Sequence, residues 1–157
     1  MIRYVSVIGQ GVCDAETAET GETLGKLLAE AGVVVICGGM GGVMAAVARG
    51  VQRAHGVSIG ILPTMDREHA NPHLTYSVCT GIGHARNLAV VTSGDVVIAL
   101  GGHWGTLSEI GLARCADRRV ILLRSWRLDA PCGPLEGVEI AQTPRQAVRL
   151  ALRPHRT

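Results

Sequence analysis

The chain has 157 residues, 47% of them hydrophobic, and a formal charge of +2, which suits one compact domain over residues 1–157, able to bury roughly two-thirds of its unfolded surface. No apolar run approaches the roughly eighteen residues of a membrane span, and the opening MIRYVSVIGQ lacks the architecture of a secretory signal, so a soluble, cytoplasmic protein is expected. With no Phe, two Trp and two Tyr, there is little for unpaired bases to stack on, and nucleic-acid binding is not expected.

Taken in order, RYVSVIG (3–9) reads as a strand, followed by the turn GQGVCD. Asp14 suits a helix N-cap; Leu24, Leu27, Leu28 and Ala31 then recur at helical spacing until Gly32 stops the element. VVVIC (33–37) is a second strand, GGMGG (38–42) a second turn, and Val43, Ala46, Val47, Gly50, Val51 and Ala54 form the stripe of a second helix ended by Gly56. VSIGIL (57–62) is a third strand. PTMDREHANPH (63–73) is a loop, because Asn71-Pro72 opposes helix continuation. TYSVC (75–79), a helix over 83–92, DVVIAL (95–100), the turn GGHWGT (101–106), a helix over 106–116 and RVILL (119–123) follow. Residues 124–137, with Pro131, Gly133 and Pro134, read as a surface connection; Thr143 with Pro144 opens a last helix over 143–153. This alternation predicts an α/β, Rossmann-like three-layer sandwich with a mostly parallel sheet of six or seven strands.

Several chemistries are disfavoured at once. The five cysteines (Cys13, Cys37, Cys79, Cys115 and Cys132) show no CxxC spacing and read as free thiols. Lys26 is the single lysine, placed among helix leucines, so a Schiff-base cofactor is not expected. His69 and His73 are separated by Asn71-Pro72, which breaks the helix that would align them on a metal. Neither a metal nor a cofactor is expected.

In parallel sheets, ligands bind beyond the carboxyl ends of the strands. Gly9 ends the first strand there. Gly38, Gly39, Gly41 and Gly42, and then Gly101, Gly102, Gly105 and Thr106, form two glycine turns that open helices, where backbone amides suit a phosphate. Neither turn is GxxxxGK[ST], and Asp14 interrupts a GxGxxG, so P-loop hydrolysis and dinucleotide redox chemistry are not supported. Glu109 is the best-placed acid, although Thr106-Leu107-Ser108-Glu109 is equally a capping box. Arg86 suits an anion clamp or a surface ion pair. His103 and Trp104 sit within the second turn, His103 as a hydrogen-bonding imidazole and Trp104 as a cover for a base or ribose, or else as a packing or subunit contact.

In order and spacing, CGGMGGVM (ending at Met44), GILP (60–63), an arginine nine residues before Asp95, and GTLSE resemble the lonely-guy (LOG) family and its wider SLOG superfamily of Rossmann-like nucleotide-binding proteins. The resemblance covers residues 2 to about 125. The NP, TG.G..RN (ending at Asn87) and GGxxGTLSE segments are most similar to a subgroup that includes molybdenum-cofactor-carrier-like proteins. Membership of this kind implies a homodimer and a phosphorylated, nucleotide-like ligand. LOG enzymes cleave the N-glycosidic bond of nucleoside 5'-monophosphates, and the resemblance places their essential arginine and glutamate on Arg86 and Glu109. It places the ligand contacts on the glycine turns, with Met44 and Asn87 beside them. The leading expectation is therefore a phosphoribohydrolase; the alternative is a non-catalytic carrier of a nucleotide or of the molybdenum cofactor. Two departures bear on the choice: Gly101 stands where the PGGxGTxxE motif has proline, and His103 where it has its second glycine.

Overall fold

The computed structural model describes residues 3–129, 133 and 135–154; Pro131, Cys132 and Pro134 of the expected connection lie outside them. Seven strands form one sheet: β1 (Arg3–Gly9), β2 (Val33–Cys37), β3 (Val57–Leu62), β4 (Tyr76–Cys79), β5 (Val96–Leu100), β6 (Arg119–Leu123) and β7 (Val138–Ala141). The helices are α1 (Ala15–Glu30), α2 (Val43–Arg53), α3 (Arg86–Ser93), α4 (Trp104–Cys115) and α5 (Pro144–Ala151), with a 3-10 turn over Gly83–Ala85 leading into α3. The strand order is β4-β3-β2-β1-β5-β6-β7, and all pairings are parallel. The sheet is the expected parallel one, with every pairing parallel, and β7 is its seventh strand, which no apolar run announced. It lies at the sheet edge with only Ala141 buried, so its sequence carries little of the pattern that burial imposes.

A parallel sheet covered on both faces needs strands that are apolar throughout; β5 is buried at all five positions. Alternate residues serve opposite layers. Val5, Val7, Val35, Ile98 and Leu100 pack with Leu24 and Leu28 of α1, Val43 and Val47 of α2, and Val148 of α5. Ile8, Ile36, Val97 and Ala99 pack with Val90 and Val91 of α3 and with Ile110 and Ala113 of α4. Ser6 is fully buried, and its hydroxyl donates to the Val90 carbonyl at 2.6 Å, which offsets the cost of desolvating it. Lys26 occupies the solvated side of α1 beside Glu30.

Helix starts follow local chemistry. Asp14 caps α1 by accepting from the Thr17 amide at 2.8 Å, and Thr143 caps α5 by accepting from the Gln146 amide at 3.2 Å. The fourth helix begins two residues earlier than its sequence suggested, with His103 at the N-cap position. That shift removes the capping-box reading: Thr106 is the third residue of α4 and Glu109 lies farther along its buried face. β1 occupies the centre, with β2 on one side and β5 on the other. From β1 the chain moves to β2 and from β5 it moves away to β6, so a crevice opens between these loops at the carboxyl edge.

Candidate functional site

Both glycine turns meet at this crevice. The β1 loop lies between them: the Val43 amide, which opens α2, donates to the Gln10 carbonyl at 3.0 Å. The Gln10 side chain lies 3.4 Å from the position a Cβ would take on Gly101. Gly42 has φ +59 and abuts the Gln10 carbonyl and the Gly11 backbone, leaving no room for a side chain. Gly9 ends β1 against the Leu100 carbonyl and Val43, so it supports the turns and is itself closed in. Asn71 secures the first turn from outside, its amide donating to the Gly39 carbonyl at 2.9 Å and its side chain to the Met40 carbonyl at 3.0 Å.

Arg86, the first residue of α3, is 8% exposed. Its guanidinium lies under the first turn, with Nη1 2.6 Å and Nη2 2.8 Å from the Cβ position of Gly38, and the Met44 sulfur lies 2.7 Å from that same position. Gly38 is the seat of the guanidinium, and any side chain there would displace it. Glu109, also 8% exposed, approaches from α4 with Oε1 4.0 Å from Arg86 Nη1. This is ion-pair range but beyond a hydrogen bond. Burial raises the Glu109 carboxyl from an ordinary 4.5 to about 7, with the charge of Arg86 opposing the rise; burial likewise lowers Arg86, with Glu109 opposing. Beneath them, burial pushes the Cys37 thiol up to about 11, which keeps it protonated.

The pair is under-satisfied. Three side-chain polar atoms are buried without a partner among the described residues, and two of them, Arg86 Nε and Thr106 Oγ1, are here. Leaving such groups unpaired costs about 1–3 kcal/mol each, and more for charged ones. The amides of Trp104, Gly105 and Thr106 at the start of α4 have no partner among the described residues, and His103 supplies no side-chain cap. The amide-rich end of α2 also lacks a side-chain cap. Together these form a buried cation and two helix ends without side-chain caps facing one cleft, the arrangement that suits an anion.

Around this centre, the half-buried Asn87 follows Arg86, Gly41 lies 3.1 Å (as a Cβ position) from the Gly11 carbonyl, and Gly105 has open space beside it. His103 and Trp104 are exposed at the lip. Sequence reading missed Trp126. It lies in the connection whose sequence reads as surface, yet its ring packs 3.3 Å from the Cβ position of Gly102, its Nε1 donates to the His103 carbonyl at 3.3 Å, and its ring packs, tilted, against Trp104. Its position directly after β6 was the available signal, because that loop also reaches the carboxyl edge. Elsewhere, Asp66 and Glu68 are exposed, Asp95 pairs with Tyr4 at the far edge of the sheet, and His73 contacts Gln52. Among the described residues, no group of three or more His, Cys, Asp or Glu side chains is placed to hold a metal ion, and no helix is long and apolar enough to cross a membrane.

The model of the SLOG cluster4 family matches residues 2–148. The chain belongs to that family. It is 38% identical over 151 residues to an uncharacterized protein of Archaeoglobus fulgidus, covering 96% of this chain and 95% of the relative. The molybdenum cofactor binding protein of Rippkaea orientalis superposes with a TM-score of 0.85 at 32% identity, over 96% of this chain and 95% of that one. The molybdenum cofactor carrier protein of Chlamydomonas reinhardtii superposes with a TM-score of 0.85 at 26% identity, over 96% of each chain. Within the SLOG cluster4 fold, the two departures noted in the sequence have a structural explanation. Gly101 has φ +73, which the proline of the LOG motif is unable to adopt, so this turn is built on a different backbone. His103 has φ −134 and ψ 167, an extended conformation that accepts any side chain without strain.

Proposed function

We propose that this SLOG cluster4 protein is a binding and carrier protein for a phosphorylated small molecule of the molybdenum-cofactor kind, which it holds without cleaving. The observation that carries this reading is the buried Arg86 guanidinium: among the described residues its Nε has no acceptor and its one charged partner, Glu109, is 4.0 Å away. A buried cation so poorly paired is stabilised by a ligand anion. The open amides of α4 and the Thr106 hydroxyl supply donors for phosphate oxygens. Likeness to the proteins of R. orientalis and C. reinhardtii over nearly the whole chain supports the cofactor as cargo.

The phosphoribohydrolase reading draws on one feature, the Glu109 carboxyl poised at about 7, a value suited to proton transfer. Against it stands the changed turn at Gly101, which alters where the phosphate, and with it the ribose, would sit relative to Glu109. The deciding experiment incubates the protein separately with the cofactor released from a molybdoenzyme and with a panel of nucleoside 5'-monophosphates. Molybdenum should co-elute with the protein on gel filtration, and no free base should accumulate. Base release abolished by Glu109→Gln would establish the hydrolase instead. Absence of both cofactor and nucleotide binding would remove the carrier reading altogether.

A further inference from the structure

The chain has four aromatic residues, yet it leaves one tryptophan largely in water and uses the other to prop it there. Trp104 is 70% exposed, although burying an indole is among the larger single gains open to a fold. Its ring centroid lies 5.3 Å from that of Trp126, with the planes tilted by 39°. Trp126 is itself anchored three ways: against Gly102, through Nε1 to the His103 carbonyl, and by apolar packing on the α4 layer. The preceding residue joins in, as the Ser125 hydroxyl donates to the Gly101 carbonyl at 2.5 Å. The loop after β6 thus clamps the second glycine turn and backs the Trp104 ring, most of which stays open to solvent. Trp104 is also the first residue of α4, whose first three amides and whose buried Thr106 hydroxyl have no partner among the described residues. Phosphate donors and an open, pre-oriented indole therefore lie within one helical turn of each other.

The geometry points to Trp104, backed by Trp126, as a stacking platform that selects a ligand with a planar fused-ring heteroaromatic group alongside its phosphate. This rests on the phosphate-binding reading of the same crevice and adds the ring as the second recognised element. An indole held in place before the ligand arrives gives up little side-chain entropy on binding, so stacking translates into affinity. A rigid surface that stacks any π-face selects flatness and ring size, while the hydrogen-bonding pattern of the ring is left to other contacts.

Three probes separate the elements: GMP, ribose 5-phosphate and the released molybdenum cofactor. Their affinities are measured by calorimetry for wild type, Trp104→Ala and Trp104→Phe. Trp104→Ala should weaken GMP and the cofactor by roughly 5- to 150-fold while leaving ribose 5-phosphate unchanged, and Trp104→Phe should restore most of the loss. Because the chain's two tryptophans form this pair, ring-bearing ligands should also quench its indole fluorescence and ribose 5-phosphate should not. Equal affinity of wild type and Trp104→Ala for GMP and the cofactor would overturn the platform while leaving phosphate binding intact. Parallel weakening of all three probes would also overturn it, by reducing Trp104 to support for the turn. Failure of wild type to bind any probe would overturn the platform and the carrier reading together.

Discussion

Four helices begin at the carboxyl edge directly after a strand or a short turn, and they begin in two different ways. At α1 and α5 the chain satisfies its own amides, through Asp14 and Thr143. At α2 and α4 it supplies no side-chain cap: Gly42 and His103 occupy the N-cap positions, where a serine or aspartate would be worth about 1 kcal/mol. The difference separates scaffold from candidate site. Closed ends are finished by the sequence, whereas open ends are left for something else to finish, and both open ends lie beside the buried Arg86–Glu109 pair.

This contrast can be broken by substitution. The largest effect is expected where an open end depends on glycine geometry. Gly42→Ala combines a positive φ with overlap on the Gln10 carbonyl and should destabilise the fold by roughly 3–4 kcal/mol, read as a lower denaturant midpoint. Next comes Glu109. Its carboxyl is raised from 4.5 to about 7 by burial, so the folded state favours the protonated form. The associated stability is complete below about pH 4.5, falls as pH rises toward 7, and is flat above that. Glu109→Gln should remove this slope, measured as urea midpoints across pH. Affinity for an anion should likewise fall as pH rises through about 7 in wild type, and not in Glu109→Gln.

A more direct test turns an open end into a closed one. His103 already has the extended backbone of an N-cap, so His103→Asp should cap α4. It should raise thermal stability modestly while weakening phosphate affinity about tenfold, by occupying the amides and placing a negative charge beside them. Tighter phosphate binding by this variant would remove α4 from the site. The smallest effect belongs to the closed helices: Asp14→Ala should cost about 1 kcal/mol of stability and leave ligand affinity unchanged by calorimetry.

The scaffold half of this division was written locally. Asp14, Thr143 and Pro144 announce their helices within four residues, and the fully buried strands read as continuous apolar runs. The glycine turns and Arg86 were legible for the same reason, since their spacing marks strand-to-helix handovers. What escaped was non-local. The sequence sets the start of α4 two residues late because Thr-x-x-Glu imitates a cap, and only burial of Thr106 and Glu109 resolves the imitation. β7 escaped because pairing with β6 defines it more than its own side chains do. Trp126 escaped because its contacts lie 22 and 24 residues away in sequence, at Trp104 and Gly102. Asn71 read as a helix breaker, and its hold on Gly39 and Met40 depends on a loop that folds back across the sheet.

Gln10 has one further consequence. Its carbonyl holds the Val43 amide and its side chain borders Gly101, so a single residue at the tip of the central strand serves as the spacer between two cradles otherwise separated by nearly sixty positions in the chain. The gauge of the cleft is set by that spacer and belongs to neither cradle alone. Length changes in the outlying loops leave the gauge untouched, whereas one residue inserted between Gly9 and Gly11 would put both cradles out of register at the same time.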